Sequence, residues 1–172
     1  MMMAEATNHY FKHLGVSDGL SQVCIPSIYQ DELGAVWLGT TEGLNRYNGK
    51  DVKVFQPSES NHGLTNNEIN ELCGDKNGRM YIRSGNDLIK LDIYTEQFTC
   101  LRQKGVYGLF CKKDTLWVSC ADGIYYYTGQ GTELTFFARV QKGFVGRALY
   151  VDKETVWVVT RKYLVAISRE DP

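Results

Sequence analysis

An all-β chain of four similar units, each a small antiparallel sheet, is what the sequence predicts, and three observations carry that prediction. A shift of 44 residues lays Phe11 on Phe55, Gly19 on Gly63, Leu20 on Leu64, Ile25 on Ile69, Asp31 on Asp75, Gly34 on Gly78 and Trp37 on Tyr81, without a gap. Anchor aromatics return at Trp117 and Trp157, so the periods are 44, 36 and 40. Seven residues past each anchor stands an aliphatic (Leu44, Leu88, Ile124, Leu164), and ten past it another apolar residue (Tyr47, Leu91, Tyr127, Ile167). No window sustains an i, i+3, i+4, i+7 stripe, and glycines interrupt each helical candidate. A short helical turn over 66–70 is allowed but not required.

Within each unit the elements follow in one order. The first strand is SIYQD, INELCGD, YGLFCKK or RALYVD. A turn comes next: ELGA, KNGR, then the clipped KDT and KET. Asp, Asn and Gly there supply side-chain hydrogen bonds and the positive φ that a tight hairpin needs. The second strand is VWLGT, MYIRS, LWVSC or VWVVT, apolar on consecutive residues, which predicts burial on both faces. The third is GLNRY, DLIKLD, GIYYY or YLVAIS; a fourth appears as VKVFQ, EQFTCL and LTFFARV, carrying Phe55, Phe98 and Phe136 or Phe137.

Four antiparallel strands per unit of roughly 40 residues is the pattern of a β-propeller blade. The units run over 18–57, 63–102, 105–140 and 144–169, as a single propeller region covering 1–172. The last unit stops before its fourth strand, and residues 9–14 carry Phe11 at a fourth-strand position with no blade before it. That N-terminal strand therefore belongs to a ring-closing blade. Either the chain closes as a four-bladed ring or it is an arc of a larger one. The arc is favoured, because a worn four-fold ring has a narrow core that needs stricter packing. An arc exposes an apolar face, which calls for a homodimer or for the remainder of the same chain.

The bulk numbers exclude several classes. At 172 residues there is room for one domain with a real core. A net charge of −1 leaves no electrostatic footprint for nucleic acid, and no Lys/Arg run would hold a membrane surface. The first residues, MMMAEATNHYFK, carry neither a basic n-region nor an apolar h-region, so no signal peptide is visible. Five cysteines (Cys24, Cys73, Cys100, Cys111, Cys120) form no C-x-x-C pair and no zinc spacing. They read as free thiols, mostly buried in apolar runs such as LFCKK and LWVSC.

The run from Asp18 to Gly49, DGLSQVCIPSIYQDELGAVWLGTTEGLNRYNG, resembles the repeat of two-component regulator propellers. The Gly-Leu pair, the Asp-x-x-Gly turn, the Trp-Leu-Gly-Thr strand and the Gly-Leu-Asn-Arg-Tyr strand are all present. The second unit keeps HGLTNNEI, DKNG and MYI but has Arg83-Ser84 where the pattern has Gly-Thr; the later units keep only the tryptophan strand and the apolar skeleton. The resemblance implies a seven-bladed periplasmic sensor region of a Bacteroides-type hybrid two-component system, responding to glycan-derived oligosaccharides and regulating polysaccharide utilisation. It also implies an export signal. No kinase phosphoacceptor box, ATP-binding glycine motif, receiver aspartate context or helix-turn-helix occurs in this sequence, so a kinase would lie elsewhere in the protein.

Candidate sites divide into those that building a blade explains and those it does not. His9, His13 and His62 have no nucleophile placed beside them by any motif, and no catalytic residue, metal ligand or cofactor is expected. Asp31-Glu32 reads as turn chemistry rather than an acid–base pair, and Asp75-Lys76-Asn77-Gly78 as a turn rather than a calcium loop, since it lacks the later bidentate Glu. Tyr125 and Tyr127 read as inter-blade packing with Tyr126 turned the other way. Propeller geometry puts a ligand on the face with the fourth-to-first and second-to-third strand loops: Thr41, Glu42, Asn66, Asn67, Asn86, Asp87, Asp122, Arg161 and Lys162. Arg83 joins them because it replaces a small residue at a strand end on that side, where it would meet an acidic sugar or neighbouring Asp residues. A streptogramin lyase-like propeller enzyme and a protein-interaction propeller are the competing readings. The former needs a histidine-centred metal site that no strand here supplies.

Overall fold

A computed structural model describes residues 12–58, 63–139, 146 and 148–170. Its sheets are four, arranged in sequence order. Blade one comprises β1 (Ser27–Gln30), β2 (Val36–Thr40), β3 (Gly43–Tyr47) and β4 (Val52–Phe55). Blade two comprises β5 (Ile69–Gly74), β6 (Arg79–Ser84), β7 (Asp87–Asp92) and β8 (Gln97–Arg102). Blade three follows as β9 (Val106–Lys112), β10 (Thr115–Cys120), β11 (Gly123–Tyr127) and β12 (Thr135–Ala138). Blade four has β13 (Ala148–Val151), β14 (Thr155–Val159) and β15 (Leu164–Ser168), three strands as the truncated fourth unit predicts. Every pairing is antiparallel between consecutive strands.

One feature was not anticipated, and one option left open by the sequence is not used. A single 3-10 turn spans Val16–Asp18, and residues 66–68 form no helix before β5 begins. The ring-closing strand expected at 9–14 falls mostly outside the described residues; Lys12 to Leu14, which are described, are not in a strand. His9 and His62 also lie outside the described residues.

Local chemistry sets the first hairpin of each blade. In blade one, Asp31 is buried at the β1–β2 turn, where its Oδ1 accepts the backbone N–H groups of Leu33 (3.0 Å) and Ala35 (2.8 Å). Gly34 takes φ +85°, which a side chain would strain. The other oxygen of Asp31 accepts the indole N–H of Trp37 at 2.7 Å. Blade four repeats this through Asp152, which accepts from Glu154 N, Thr155 N and the Trp157 indole (2.9 Å). Blade two has Tyr81 in place of the tryptophan, and the guanidinium of Arg79 fills the freed position on Asp75. So each turn Asp is satisfied by its own turn's backbone N–H groups and by one side chain of the same blade, an indole in blades one and four and a guanidinium in blade two.

Each blade buries its neighbour-facing side against the blade that follows. Trp37, Leu44 and Phe55 of blade one share a core with Ile69, Leu72 and Ile82 of blade two. Tyr81 and Leu88 pack with Val106, Leu109 and Val118 of blade three. Trp117 and Ile124 pack with Leu149, Val156 and Val158 of blade four. The innermost strands touch in series, β1 on β5, β5 on β9 and β9 on β13.

The repeat positions show where the series stops. Leu44, Leu88 and Ile124 are 0% exposed, whereas their counterpart Leu164 is 65% exposed. Gly39 sits so close to blade two that a Cβ would meet Ile69 at 2.8 Å; its counterparts Arg83 and Ser119 face the next blade, while Val159 is 47% exposed. Leu149, Tyr150, Trp157, Val159 and Leu164 line an apolar hollow of about 400 Å³ on that open face. Ile28 on blade one is likewise exposed. The described blades thus form an open arc, with no blade on the outer side of either end.

The arc predicts unequal costs for equivalent truncations. Leu88→Ala removes a side chain packed on both blades and costs about 2–4 kcal/mol, whereas Leu164→Ala costs under about 1 kcal/mol because its side chain is already solvated. Urea unfolding of the two variants against the native chain checks this.

Candidate functional site

Antiparallel pairing decides which loops share a face. Ser27 opposes Gly39, and Leu44 opposes Phe55, so the start of β1, the β2–β3 turn and the end of β4 lie at one edge of blade one. The same edge in later blades is drawn together by the backbone: Gly85 N donates to Glu68 O (2.7 Å), Val106 N to Asn86 O (3.0 Å) and Ala121 N to Gly105 O (2.8 Å). Ser84 ties the loop before β5 to this edge, accepting from Asn66 N (3.0 Å) and donating to Asn66 O (2.8 Å). All the loop residues singled out from the sequence occupy this polar edge.

The structure does not gather them into one cluster. Thr41 and Glu42 belong to blade one, where the Glu42 carbonyl accepts from Gln56 (2.8 Å). Arg161 and Lys162 sit on the β14–β15 turn of blade four, held by Thr160, whose Oγ1 accepts Lys162 N (3.2 Å) and Tyr163 N (2.8 Å). Asn66, Asn67 and Asn86 are exposed on blade two, and Asp87 accepts Lys104 N at 2.6 Å. Among the described residues, no hydrogen bond or ion pair joins any two of Thr41, Glu42, Asn67, Arg83, Asn86, Asp122, Arg161 and Lys162. Blades two and three carry the densest polar group.

Arg83 corrects the expectation drawn from sequence. Its partner is neither a ligand-facing void nor a neighbouring Asp but Glu71, directly opposite on β5, at 3.3 Å. Arg83 also donates to Gly85 O (3.2 Å), and Glu71 accepts Leu109 N of blade three (3.1 Å). Burial pushes the Glu71 carboxyl above its ordinary range, opposed by the Arg83 charge and hydrogen bond and by the Leu109 N–H. Glu71 was invisible to sequence reasoning because its repeat counterpart is Ser27, a chemically different residue. Yet the two do one job: Ser27 Oγ accepts Leu72 N of blade two at 2.9 Å. Arg83 therefore serves the joint between blades, its positive charge already neutralised.

Asp122 stands closer to solvent. Arg102 from β8 reaches it at 2.7 Å across the blade boundary, and the Tyr125 hydroxyl donates to its other oxygen at 2.9 Å. Partial burial would raise the carboxyl, but the Arg102 and Tyr125 hydrogen bonds outweigh it and hold Asp122 below the usual carboxylate range. The face of Tyr125 is covered by the Arg102 guanidinium, 4.7 Å from the ring centre, and its ring meets the edge of Phe136. Tyr127 packs edge-on against Tyr81, and Tyr126, pointing the other way, against Trp117. None of the three tyrosines offers a free ring face for stacking. Tyr163 does, being 69% exposed beside Arg161 and Lys162; an aromatic closing a polar turn was the signal in the sequence.

Asn67, Asn86 and Asp122 present amide and carboxylate groups to solvent, chemistry suited to a hydroxyl-rich ligand. No group of three or more His, Cys, Asp or Glu side chains placed to hold a metal ion occurs among the described residues. His13 is exposed on the N-terminal segment, away from the strands.

Comparison with known proteins places this architecture. Residues 19–42, which hold β1 and β2, match the family model described as two component regulator propeller. A stretch of 55 residues is 38% identical to histidine kinase P4 of Formosa agariphila, covering 32% of this chain and 4% of that protein. The extracellular domain of a hybrid two component system from B. thetaiotaomicron superposes with a TM-score of 0.79 at 22% identity, over 93% of this chain and 25% of that one. A computationally designed protein superposes over 96% of this chain and 99% of its own length, with a lower TM-score of 0.62 at 13% identity. The chain spans a quarter or less of the natural proteins it matches here.

The Arg83–Glu71 pair yields a signed prediction. Arg83→Ala leaves a half-buried carboxylate without its counter-charge and costs about 1–2 kcal/mol at neutral pH, discounted for partial exposure. Burial already raises the folded carboxyl above its unfolded value, so the proton binds more tightly in the folded state. The Arg83→Ala deficit is therefore largest above the raised range and shrinks as pH falls and Glu71 is protonated. Denaturant midpoints of native and variant chains at about pH 7 and about pH 4.5 measure it.

Proposed function

We propose that this chain, whose first blade holds a two component regulator propeller match, is part of the extracytoplasmic ligand-sensing propeller of a hybrid two-component sensor. The observation that carries the reading is the match at residues 19–42, set in an open arc of blades whose fold is shared with the extracellular domain of a hybrid two component system from B. thetaiotaomicron. A larger propeller, of seven blades, accommodates the uncovered face of blade four. Kinase chemistry belongs to a part of the sensor outside this sequence, and this region acts by binding.

Glycan-derived oligosaccharides are the ligand class we favour. A sugar offers many hydroxyls and no strong charge, and it is held by amide and carboxylate groups acting together. Asn67, Asn86 and Asp122 supply those groups at the polar edge of blades two and three. Arg83 is withdrawn from this set by its pair with Glu71, so an acidic sugar has no dedicated cation there. The output is regulation of polysaccharide-utilisation genes, and the setting is the periplasm.

Isothermal titration of a panel of neutral and uronate-containing oligosaccharides tests the reading. A neutral oligosaccharide binds, and Asn86→Ala and Asp122→Ala each weaken it about 5- to 10-fold, the equivalent of about one lost hydrogen bond. Absence of any binding by a propeller that includes this region, or binding that both variants leave intact, contradicts it.

A further inference from the structure

The innermost strands of blades two and three bring two cysteines face to face. Cys73 on β5 and Cys111 on β9 have their Sγ atoms 2.7 Å apart, both side chains half-buried at the joint between the two blades. Two unbonded sulfur atoms do not settle so close, and the covalent distance is only about 0.7 Å shorter. Their side chains already point at each other from separate sheets, so closing the gap asks for little backbone movement. Neither strand lies at a chain end, and each is held in register by its own sheet. The remaining thiols have no such partner. Cys120 is buried, its thiol pushed up to about 12 by that burial; Cys100 is on β8 and Cys24 is exposed on the segment before β1.

We propose that Cys73 and Cys111 form a disulfide that staples blade two to blade three along the inner wall of the arc, with a low-molecular-weight disulfide as the oxidant. The Cys111 thiolate attacks one sulfur of the oxidant, its proton passing to solvent, and expels one thiolate. Cys73, deprotonated in turn, attacks Sγ of Cys111 and expels the second. The two protein thiols lose two electrons and two protons in all, and the oxidant becomes two thiols. Burial and the neighbouring Cys111 hold the Cys73 thiol well above its ordinary range, which makes it a poor first nucleophile. As the resolving group it attacks within one molecule at contact distance, which offsets that handicap.

The bond closes a covalent loop through β6, β7 and β8, so it ties a whole blade into the joint. That joint already holds the hydrogen bond from Leu109 N to Glu71 and the Tyr81 hydroxyl, buried without a partner. The ring of Tyr29 lies over Gly74, where a Cβ would meet its hydroxyl at 2.2 Å, so blade one shields the pair from one side. The result is a fixed angle between the two blades that carry Asn67, Asn86 and Asp122. The inference does not depend on what the propeller senses.

Treatment of the native chain with oxidised glutathione at about pH 8, followed by thiol titration in denaturant and non-reducing peptide mapping, tests the proposal. Of the five thiols, Cys73 and Cys111 are lost together in a single linked peptide, separately from any glutathione adduct on the exposed Cys24. The melting temperature of the native chain rises by about 5–10 °C on oxidation, and that of Cys73→Ser does not. Retention of both the Cys73 and the Cys111 thiol, a glutathione adduct on either of them that never resolves, or a linkage pairing either cysteine elsewhere overturns it. If Cys73→Ser does not fold, the map of the native chain decides alone.

Discussion

The structure depends on where the aromatic of each second strand can go. Trp37 is too large to bury within one blade, so it needs the next blade to cover it, and its one polar atom must be satisfied before that happens. Asp31 does this from within the same blade by accepting the indole N–H, while its second oxygen closes the β1–β2 turn. A single buried carboxylate therefore couples hairpin geometry to the face the next blade packs on. Leaving such a donor unsatisfied costs about 1–3 kcal/mol, comparable to the gain from burying much of the ring.

The later blades show what happens as this device wears. Blade two has no indole, and the Tyr81 hydroxyl stays buried without a partner while Asp75 turns to Arg79. Blade three has Lys112 where the Asp belongs; its Trp117 is held by rings instead, with Phe137 edge-on at 5.0 Å and Tyr126 tilted at 5.6 Å. Blade four keeps the full Asp152–Trp157 pair but no neighbour to cover it. Packing, cross-blade hydrogen bonds and the proposed sulfur staple thus take over the role of the Asp–Trp pair as the series proceeds.

Much of this was legible in the chain itself. The 44-residue shift aligned Asp31 with Asp75 and Leu44 with Leu88, and the strand order followed because identical positions have identical neighbours in a repeat. Pairs created by cross-strand register or by contact between blades were not legible. Glu71 is matched by Ser27, so no pattern marked it, and its bond to Leu109 N exists only once two sheets are placed side by side. Cys73 and Cys111 lie 38 residues apart, nearly one period, but their neighbours FCKK and LCGD share too little to announce a pair. Topology alone put the candidate loops on one edge. Which of them meet was decided by blade membership, and that separates Thr41 and Glu42 from Arg161 and Lys162.

The central claim is that each blade's anchor aromatic is buried by the blade that follows it. Three tryptophans give three indole N–H resonances, and a soluble paramagnetic agent attenuates those that solvent can reach. Trp37 and Trp117 should keep full intensity, and Trp157, lining the open hollow of blade four, should lose most of its signal. Attenuation of Trp37, or protection of Trp157 equal to that of Trp37 in the monomeric chain, would contradict the account.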